Sequence, residues 1–335
     1  MAALLGCLLV AAGCSRPDGV HTLSGTTMGT VWTIKLAELP EGVTVDLLRA
    51  DIDAELERID AEMSTYRPDS ALSRFNRAAA GERMKLPEGL AVVLGAALRL
   101  AEETGGAYDP TIGPLVNLWG FGPEGRRGQA PVPSQIAEAM ARVGWQRLKL
   151  EGASVEQPGG VYVDLSSIAK GYAVDRVLDL LQRNAVRNCL VDIGGDLRVL
   201  GERPDGSPWR VAVERPVPGA RGVQAALAVE NVAVATSGNY RNFFADAGLA
   251  WSHTIDPRTG YPVQHHAVSV TVIHSNAMMA DALSTALGVL PPNESLAFAQ
   301  ARGLAVLLLL REGDHVIERM SPAFARYLRA PDAGA

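Results

Sequence analysis

The sequence predicts an α+β fold of mixed, largely antiparallel sheets packed with helices. Three observations lead there. Helical and strand-like segments do not alternate regularly along the chain, which argues against a doubly wound parallel sheet. The pair Gly194-Gly195 joins two short apolar runs with hairpin chemistry. Two further apolar runs, 304–310 and 315–318, are spaced to form a final hairpin.

The elements follow in order. Thr30 to Leu36 reads as a first strand. Thr44 to Met63 reads as a helix, with Leu48, Ile52, Leu56, Ile59 and Met63 on one face. Pro87 to Thr104 is a second helix, stopped by Gly105-Gly106. Trp119 to Pro133 is rich in Gly and Pro and reads as a loop. Ser134 to Val143 reads as a short helix capped by Ser134. After the β-rich run Val161-Tyr162-Val163, an amphipathic helix opens within Asp164 to Asp175 and continues through Leu181. Ser166 or Ser167 is the expected N-cap. Gly171 inside that helix costs roughly 1 kcal/mol relative to Ala, so another group is expected against the backbone there. Strands are expected at 189–193, 197–200, 210–214, 225–229, 232–236 and 268–273. Helices are expected at 276–290 and 293–301. The run Leu307 to Leu310 is far shorter than the ~20 residues that span a bilayer and reads as a buried strand.

The 335 residues are 47% hydrophobic and 20% charged, ordinary globular composition that can bury a large core. A net charge of −6 and the lack of any basic block argue against a nucleic-acid partner. Met1 to Gly13 carries no charged side chain and is nearly all apolar. It reads as a signal peptide, 1–13, followed by a tether, 14–20, and one domain, 21–330. The ending Ala11-Ala12-Gly13-Cys14 resembles a bacterial lipoprotein box, which implies lipid on Cys14 and a membrane-anchored protein on the periplasmic side of the cell envelope. Ser15 after Cys14 leaves an outer-membrane destination open, and an unprocessed N-terminus stays open as the alternative. Cys7 would leave with the signal. Cys189 then remains as a lone thiol that reads as a small buried hydrophobe.

Several segments carry chemistry. In Asp164 to Asp175 a strand end, a helix start and Lys170 together offer a seat for phosphate, or simply a capped helix with a solvated Lys. Asp192-Ile193-Gly194-Gly195-Asp196 places paired glycines between two acids and reads first as a tight turn. On the helix from Asn276, Asp281 and Thr285 lie four residues apart and share a face. A carboxylate and a hydroxyl there are hard oxygen donors suited to Mg²⁺, or else a solvated face. His253 precedes a turn-forming stretch, Thr254 to Gly260, and is a candidate general base or an exposed side chain. Walker A, a Gly-x-Gly-x-x-Gly after a strand, a Gly-x-Ser-x-Gly elbow and zinc-type His/Cys spacing are all missing.

Eight segments in order resemble the ApbE family of FAD:protein FMN transferases. They are TTMGTVW from Thr26, MSTYRPDSALSRFN from Met63, GAYDPTIGPLVNLWGFG from Gly106, DLSSIAKGYAVD from Asp164, LVDIGGDLRVLG from Leu190, VATSGNYRNF from Val234, HTIDPRTGYPV from His253 and ADALSTAL from Ala280. The resemblance implies an ApbE-like fold and Mg²⁺-dependent transfer of FMN from FAD to a Thr or Ser hydroxyl of a client protein, with AMP leaving. It implies flavin-nucleotide contacts at Met28, Tyr66, Ala107, Tyr108, Asp109, Asp164, Lys170 and Ile255. It implies Mg²⁺ ligands at Asp281, Thr285 and Ser167, the last through its backbone carbonyl. His253 is the expected base, and the role of Ser284 stays open. Clients would be subunits of ion-pumping, quinone-reducing or Rnf-type electron-transfer complexes. The rival readings are an FAD pyrophosphatase and a non-catalytic FAD-binding lipoprotein.

Overall fold

A computed structural model describes residues 20–125, 129–216, 222–238, 243–246, 249–265, 267–313 and 315–328. Cys14 and the segment read as signal and tether, up to residue 19, lie outside the described residues. No described helix is long and apolar enough to cross a membrane.

The chain opens with β1 (His21–Thr27) and β2 (Thr30–Leu36). A mostly helical excursion follows: α1 (Val45–Met63), α2 (Ala71–Asn76), β3 (Arg83–Lys85), α3 (Glu88–Glu103), α4 (Gly113–Leu118), α5 (Pro133–Met140), β4 (Leu150–Glu151), β5 (Ser154–Glu156) and α6 (Ala169–Arg183). Strands then dominate: β6 (Cys189–Ile193), β7 (Asp196–Leu200), β8 (Trp209–Glu214), β9 (Val223–Val229), β10 (Ala233–Gly238), β11 (Phe243–Asp246), β12 (Leu249–Ser252) and β13 (Ala267–His274). The last elements are α7 (Ala277–Val289), α8 (Pro292–Ala301), β14 (Ala305–Glu312) and β15 (His315–Met320).

One eight-stranded sheet, in the order β1-β2-β6-β7-β10-β13-β14-β15, organises the molecule. Every neighbouring pair in it is antiparallel. Both of its faces are covered, and strand alternation shows how. In β14, Val306, Leu308 and Leu310 pack into the core shared with α1, α3, α6 and α7. Ala305, Leu307 and Leu309 point the other way, onto the β8–β9 hairpin through Trp209, Val211 and Leu227. The leucine run is therefore apolar because both faces of its strand are dry. A third cluster joins α4 and α5 through Leu115, Leu118, Ile136 and Ile255.

Two expected caps fall elsewhere. The helix near 134 starts at Pro133, with Val132 as N-cap. Pro lacks the donor that a first-turn residue leaves unused anyway, and the Gln135 side chain reaches back to the Val132 N–H at 3.1 Å. The helix near 164 starts at Ala169, with Ile168 at the cap position and no side-chain cap. Neither Ser166 nor Ser167 caps it, because Asp164 draws the preceding residues into a turn by accepting the Ser166 N–H at 2.8 Å.

The group expected against Gly171 is the start of α7. A Cβ at Gly171 would lie 2.2 Å from the Ala277 carbonyl oxygen. Substitution of Gly171 by Ala should therefore destabilise the fold by about 1–3 kcal/mol, the usual scale of overpacking, although Ala favours helix. Chemical denaturation measures this; an unchanged or raised midpoint would contradict the close approach.

Cys189 is buried, and burial pushes its thiol up to about 12. Cys189 in the native protein should resist iodoacetamide at pH 8 and react once the chain is unfolded, read by peptide mass. An acid whose folded pKa is raised stabilises the fold below its unfolded value, near 8.5, and that contribution is lost as pH rises above it. Native labelling at the rate of a free thiol would contradict the burial.

Candidate active site

The site lies where α6, α7 and the β6–β7 turn meet. A cavity of about 610 Å³ opens there, lined among others by Asp164, Ser167, Lys170, Asp196, His253 and Asp281. Thr285 and Ile255 line it too. A second cavity of about 670 Å³ runs toward Met28 and Tyr66. The two share Ser166 and Lys170 and form one two-lobed cleft. Each lobe has the size of an ordinary ligand pocket.

Local structure puts each group in place. Met28 and Gly29 form the two-residue turn between β1 and β2, both with positive φ, 47° and 71°. That conformation is costly for Met and turns it into the cleft wall. Gly194 and Gly195 make the corresponding turn between β6 and β7, also with positive φ. Gly194 sits against Thr30, 2.9 Å from where its Cβ would be, so the two turns pack together at the cleft edge. Tyr66 stands on the rim with 68% of its surface exposed.

α7 is seated by three sets of bonds. Asn276 caps it by accepting the Met279 N–H at 2.9 Å. Asp175 of α6 accepts the N–H groups of Ala277 and Met278 at 3.0 and 2.9 Å, and Arg198 of β7 donates to the same carboxylate at 2.7 Å. Asp281, one turn further on, accepts the Gly171 N–H at 3.0 Å. The Gly171 amide in the first turn of α6 thus already holds the Asp281 carboxylate, beside the Lys170 that the sequence offers to phosphate.

Lys170 lies between two buried acids. Its Nζ donates to Asp196 Oδ2 at 2.5 Å and stands 3.4 and 3.5 Å from the two Asp281 oxygens. Burial works against its ammonium, but the charges of Asp281 and Asp196 raise its pKa well above the lysine range. Burial raises the Asp281 carboxyl above the carboxylate range and Asp196 adds to this, while Lys170 and the Gly171 N–H oppose them.

On the other side of Asp281, Ser237 of β10 bonds both Ser284 Oγ (2.7 Å) and Thr285 Oγ1 (3.1 Å). Ser284 is buried and donates to the Asp281 carbonyl at 2.8 Å. Ser167 donates its hydroxyl to Tyr108 at 3.1 Å. His253 follows β12 and meets the Phe121 ring edge-on at 6.3 Å.

Ala107, Tyr108 and Asp109 are buried and line neither lobe. Asp109 accepts from the Thr111 N–H, the Thr111 hydroxyl and the Trp145 N–H, at 2.8, 2.6 and 3.0 Å. It pins loops beneath the site. Burial raises the Tyr108 phenol, so it stays protonated and able to bond Ser167.

The donor chemistry fits Mg²⁺. Asp281, Thr285 and Ser167 line one cavity and offer only oxygen. Among the described residues no three His, Cys, Asp or Glu side chains form a metal-holding group. A cation that shares one carboxylate with phosphate oxygens needs no such group.

Residues 28–308 match the model of the ApbE family. The chain belongs to this family. The FAD:protein FMN transferase of Vibrio cholerae serotype O1 is 42% identical over 325 residues, which cover 97% of each chain. That of Escherichia coli K12 is 38% identical over 339 residues, covering 97% of this chain and 96% of its own. The solved structure of flavin transferase ApbE from Vibrio cholerae superposes with a TM-score of 0.86 at 40% identity, over 92% of this chain and 99% of that one. The apo form of the Pseudomonas stutzeri flavinyl transferase ApbE gives 0.86 at 39% identity, over 93% and 98%. The α+β class read from the sequence agrees with these ApbE structures.

Two groups escaped the sequence reading as site residues. Asp196 was visible only as an acid beside a glycine turn, and Ser237 only inside the Val234–Phe243 segment. Nothing local marks either; the sheet brings them to the cleft.

Proposed function

We propose that this chain transfers FMN from FAD to a Thr or Ser hydroxyl of a client protein and releases AMP. The observation that carries this reading is the two-lobed cleft whose lobes meet at Lys170. FAD has the same plan, two aromatic halves joined by a pyrophosphate. The reading seats the pyrophosphate at the junction. Met28 and the exposed ring of Tyr66 offer one half an apolar edge and a stacking face. Asp164 and Ile255 contact the nucleotide from the other lobe. Tyr108 and Asp109 act from beneath, Tyr108 by holding Ser167 and Asp109 by pinning the loops, with Ala107 packed beside them.

Asp281, Thr285 and the Ser167 carbonyl would hold Mg²⁺. Bound there, the ion supplies positive charge against the pyrophosphate and its leaving oxygen. Lys170 adds a second cation at the junction. His253 accepts the proton of the acceptor hydroxyl, whose oxygen bonds the flavin-side phosphorus. The bond from that phosphorus to the bridging oxygen breaks, and AMP carries the oxygen away. The resulting FMN is held by a phosphoester.

On the same reading the client is a subunit of an ion-pumping, quinone-reducing or Rnf-type electron-transfer complex, and a lipid on Cys14 ties the enzyme to the membrane on the periplasmic side. Incubation with FAD, Mg²⁺ and a Thr-containing client should give covalent flavin on the client. Free FMN without a labelled client would mean hydrolysis, and unchanged FAD would mean storage; either contradicts the proposal.

Asp281→Ala should lower transfer at least ~10²-fold, the scale of losing a group that stabilises transition-state charge. Near-normal turnover at saturating FAD would refute its role. His253→Ala should slow transfer with FAD affinity nearly intact. Collapse of FAD binding would instead make His253 a binding residue.

A further inference from the structure

Asp196 belongs to no role described so far, yet it makes the shortest contact of Lys170. It is buried, with 4% of its surface exposed, and it begins β7 directly after the Gly194-Gly195 turn. That turn is fixed from outside, because the Gly194 N–H donates to the Val31 carbonyl at 3.0 Å. Asp196 is therefore held rigidly at the cleft wall, whereas Lys170 carries a flexible stem and keeps 29% of its side chain exposed.

The distances are unequal. Lys170 Nζ is 2.5 Å from Asp196 and 3.4 Å or more from Asp281. Asp281 Oδ2 also takes the Gly171 N–H, while among the described residues its Oδ1 has only the long contact to Lys170. Were Asp196 not there, the ammonium would find its nearest counter-charge on Asp281, the carboxylate that a cation needs. A charge-assisted bond of the Lys170–Asp196 kind is among the stronger ones available to a side chain.

We propose that Asp196 is a positioning residue that holds the Lys170 ammonium off Asp281 and so keeps the Asp281 carboxylate open to a divalent cation. This rests on the Mg²⁺ reading of the site given above. Asp196 touches neither cation nor substrate in this account. It acts through Lys170, and its absence turns Lys170 from a neighbour of the cation site into a competitor for it.

The test is a double-mutant cycle read by metal affinity in the absence of FAD, with Mn²⁺ as the probe and free Mn²⁺ followed by its paramagnetic resonance signal. Asp196→Asn keeps the shape and removes the charge. It should weaken Mn²⁺ binding by roughly tenfold or more, the scale of one lost charge-assisted hydrogen bond. Lys170→Met should tighten Mn²⁺ binding much less in the otherwise unaltered protein than in the Asp196→Asn background, since Asp196 already holds Lys170 closer than Asp281 does. Added to Asp196→Asn, Lys170→Met should recover most of the loss. Asp196→Glu, which retains a carboxylate, should bind Mn²⁺ more tightly than Asp196→Asn.

Additive effects of the two substitutions would mean that Asp196 acts only by through-space charge, and would overturn the proposal while leaving the cation site intact. Unchanged affinity in Asp196→Asn would overturn it equally. Failure of the unaltered protein to bind Mn²⁺ either alone or with FAD present would overturn the cation reading itself, and this inference with it.

Discussion

The site depends on how closely two helices approach. α6 and α7 meet at Gly171, where the Ala277 carbonyl occupies the space of a side chain. That approach brings the Gly171 N–H within hydrogen-bond range of Asp281, and the positive end of α6 favours the buried carboxylate. Asp175, one turn along, ties the first amides of α7 to the same helix and to Arg198 of the sheet. The helices are thus locked at two levels by acids that accept backbone donors. Asp281 and Thr285, a turn apart on α7, inherit their positions from this lock.

The second consequence is electrostatic. Two carboxylates, Asp196 and Asp281, are buried side by side, an arrangement that is unstable without a compensating cation. Lys170 supplies one from the first turn of α6, and the Gly171 N–H contributes a partial charge. The cleft is therefore a place where positive charge is needed and where the existing supply leans to one side. This asymmetry, toward Asp196, leaves Asp281 facing the lobe lined by His253, with the hydroxyls of Ser237 and Thr285 in the same lobe.

Much of this was legible in the sequence because periodicity and turn chemistry are local. β6 was read at its full extent, α1 and α7 within a residue of their ends, and the Gly194-Gly195 hairpin from its two glycines. The cost of Gly171 in a helix announced a close neighbour, though not which one. What escaped was set by tertiary contact. β1 carries no clean alternation and is held by pairing with β2. The N-cap at Ser166 or Ser167 failed because Asp164 competes for the same backbone, and the Gly171 amide beside Lys170 holds Asp281 from a helix more than a hundred residues away. The Asp281–Thr285 face looked equally like a solvated surface; only the fold shows that Asp281 is buried. Ala107, Tyr108 and Asp109 came from the family resemblance; all three are buried and line neither lobe, with Tyr108 accepting from Ser167 and Asp109 from Thr111 and Trp145.

Ser167, Asp281 and Thr285 come from a turn and a helix far apart in the chain, and one cavity gathers them. On the proposed function they share a single ion near the junction of the two lobes. The most direct measurement is a crystal structure with FAD and Mn²⁺ bound, read by anomalous scattering. One peak is expected at the junction, with the Asp281 carboxylate, the Thr285 hydroxyl and the Ser167 carbonyl at about 2.1 Å, the spacing of a Mg²⁺-type site. A peak elsewhere, or one that lacks Asp281 and Thr285 among its ligands, would contradict it.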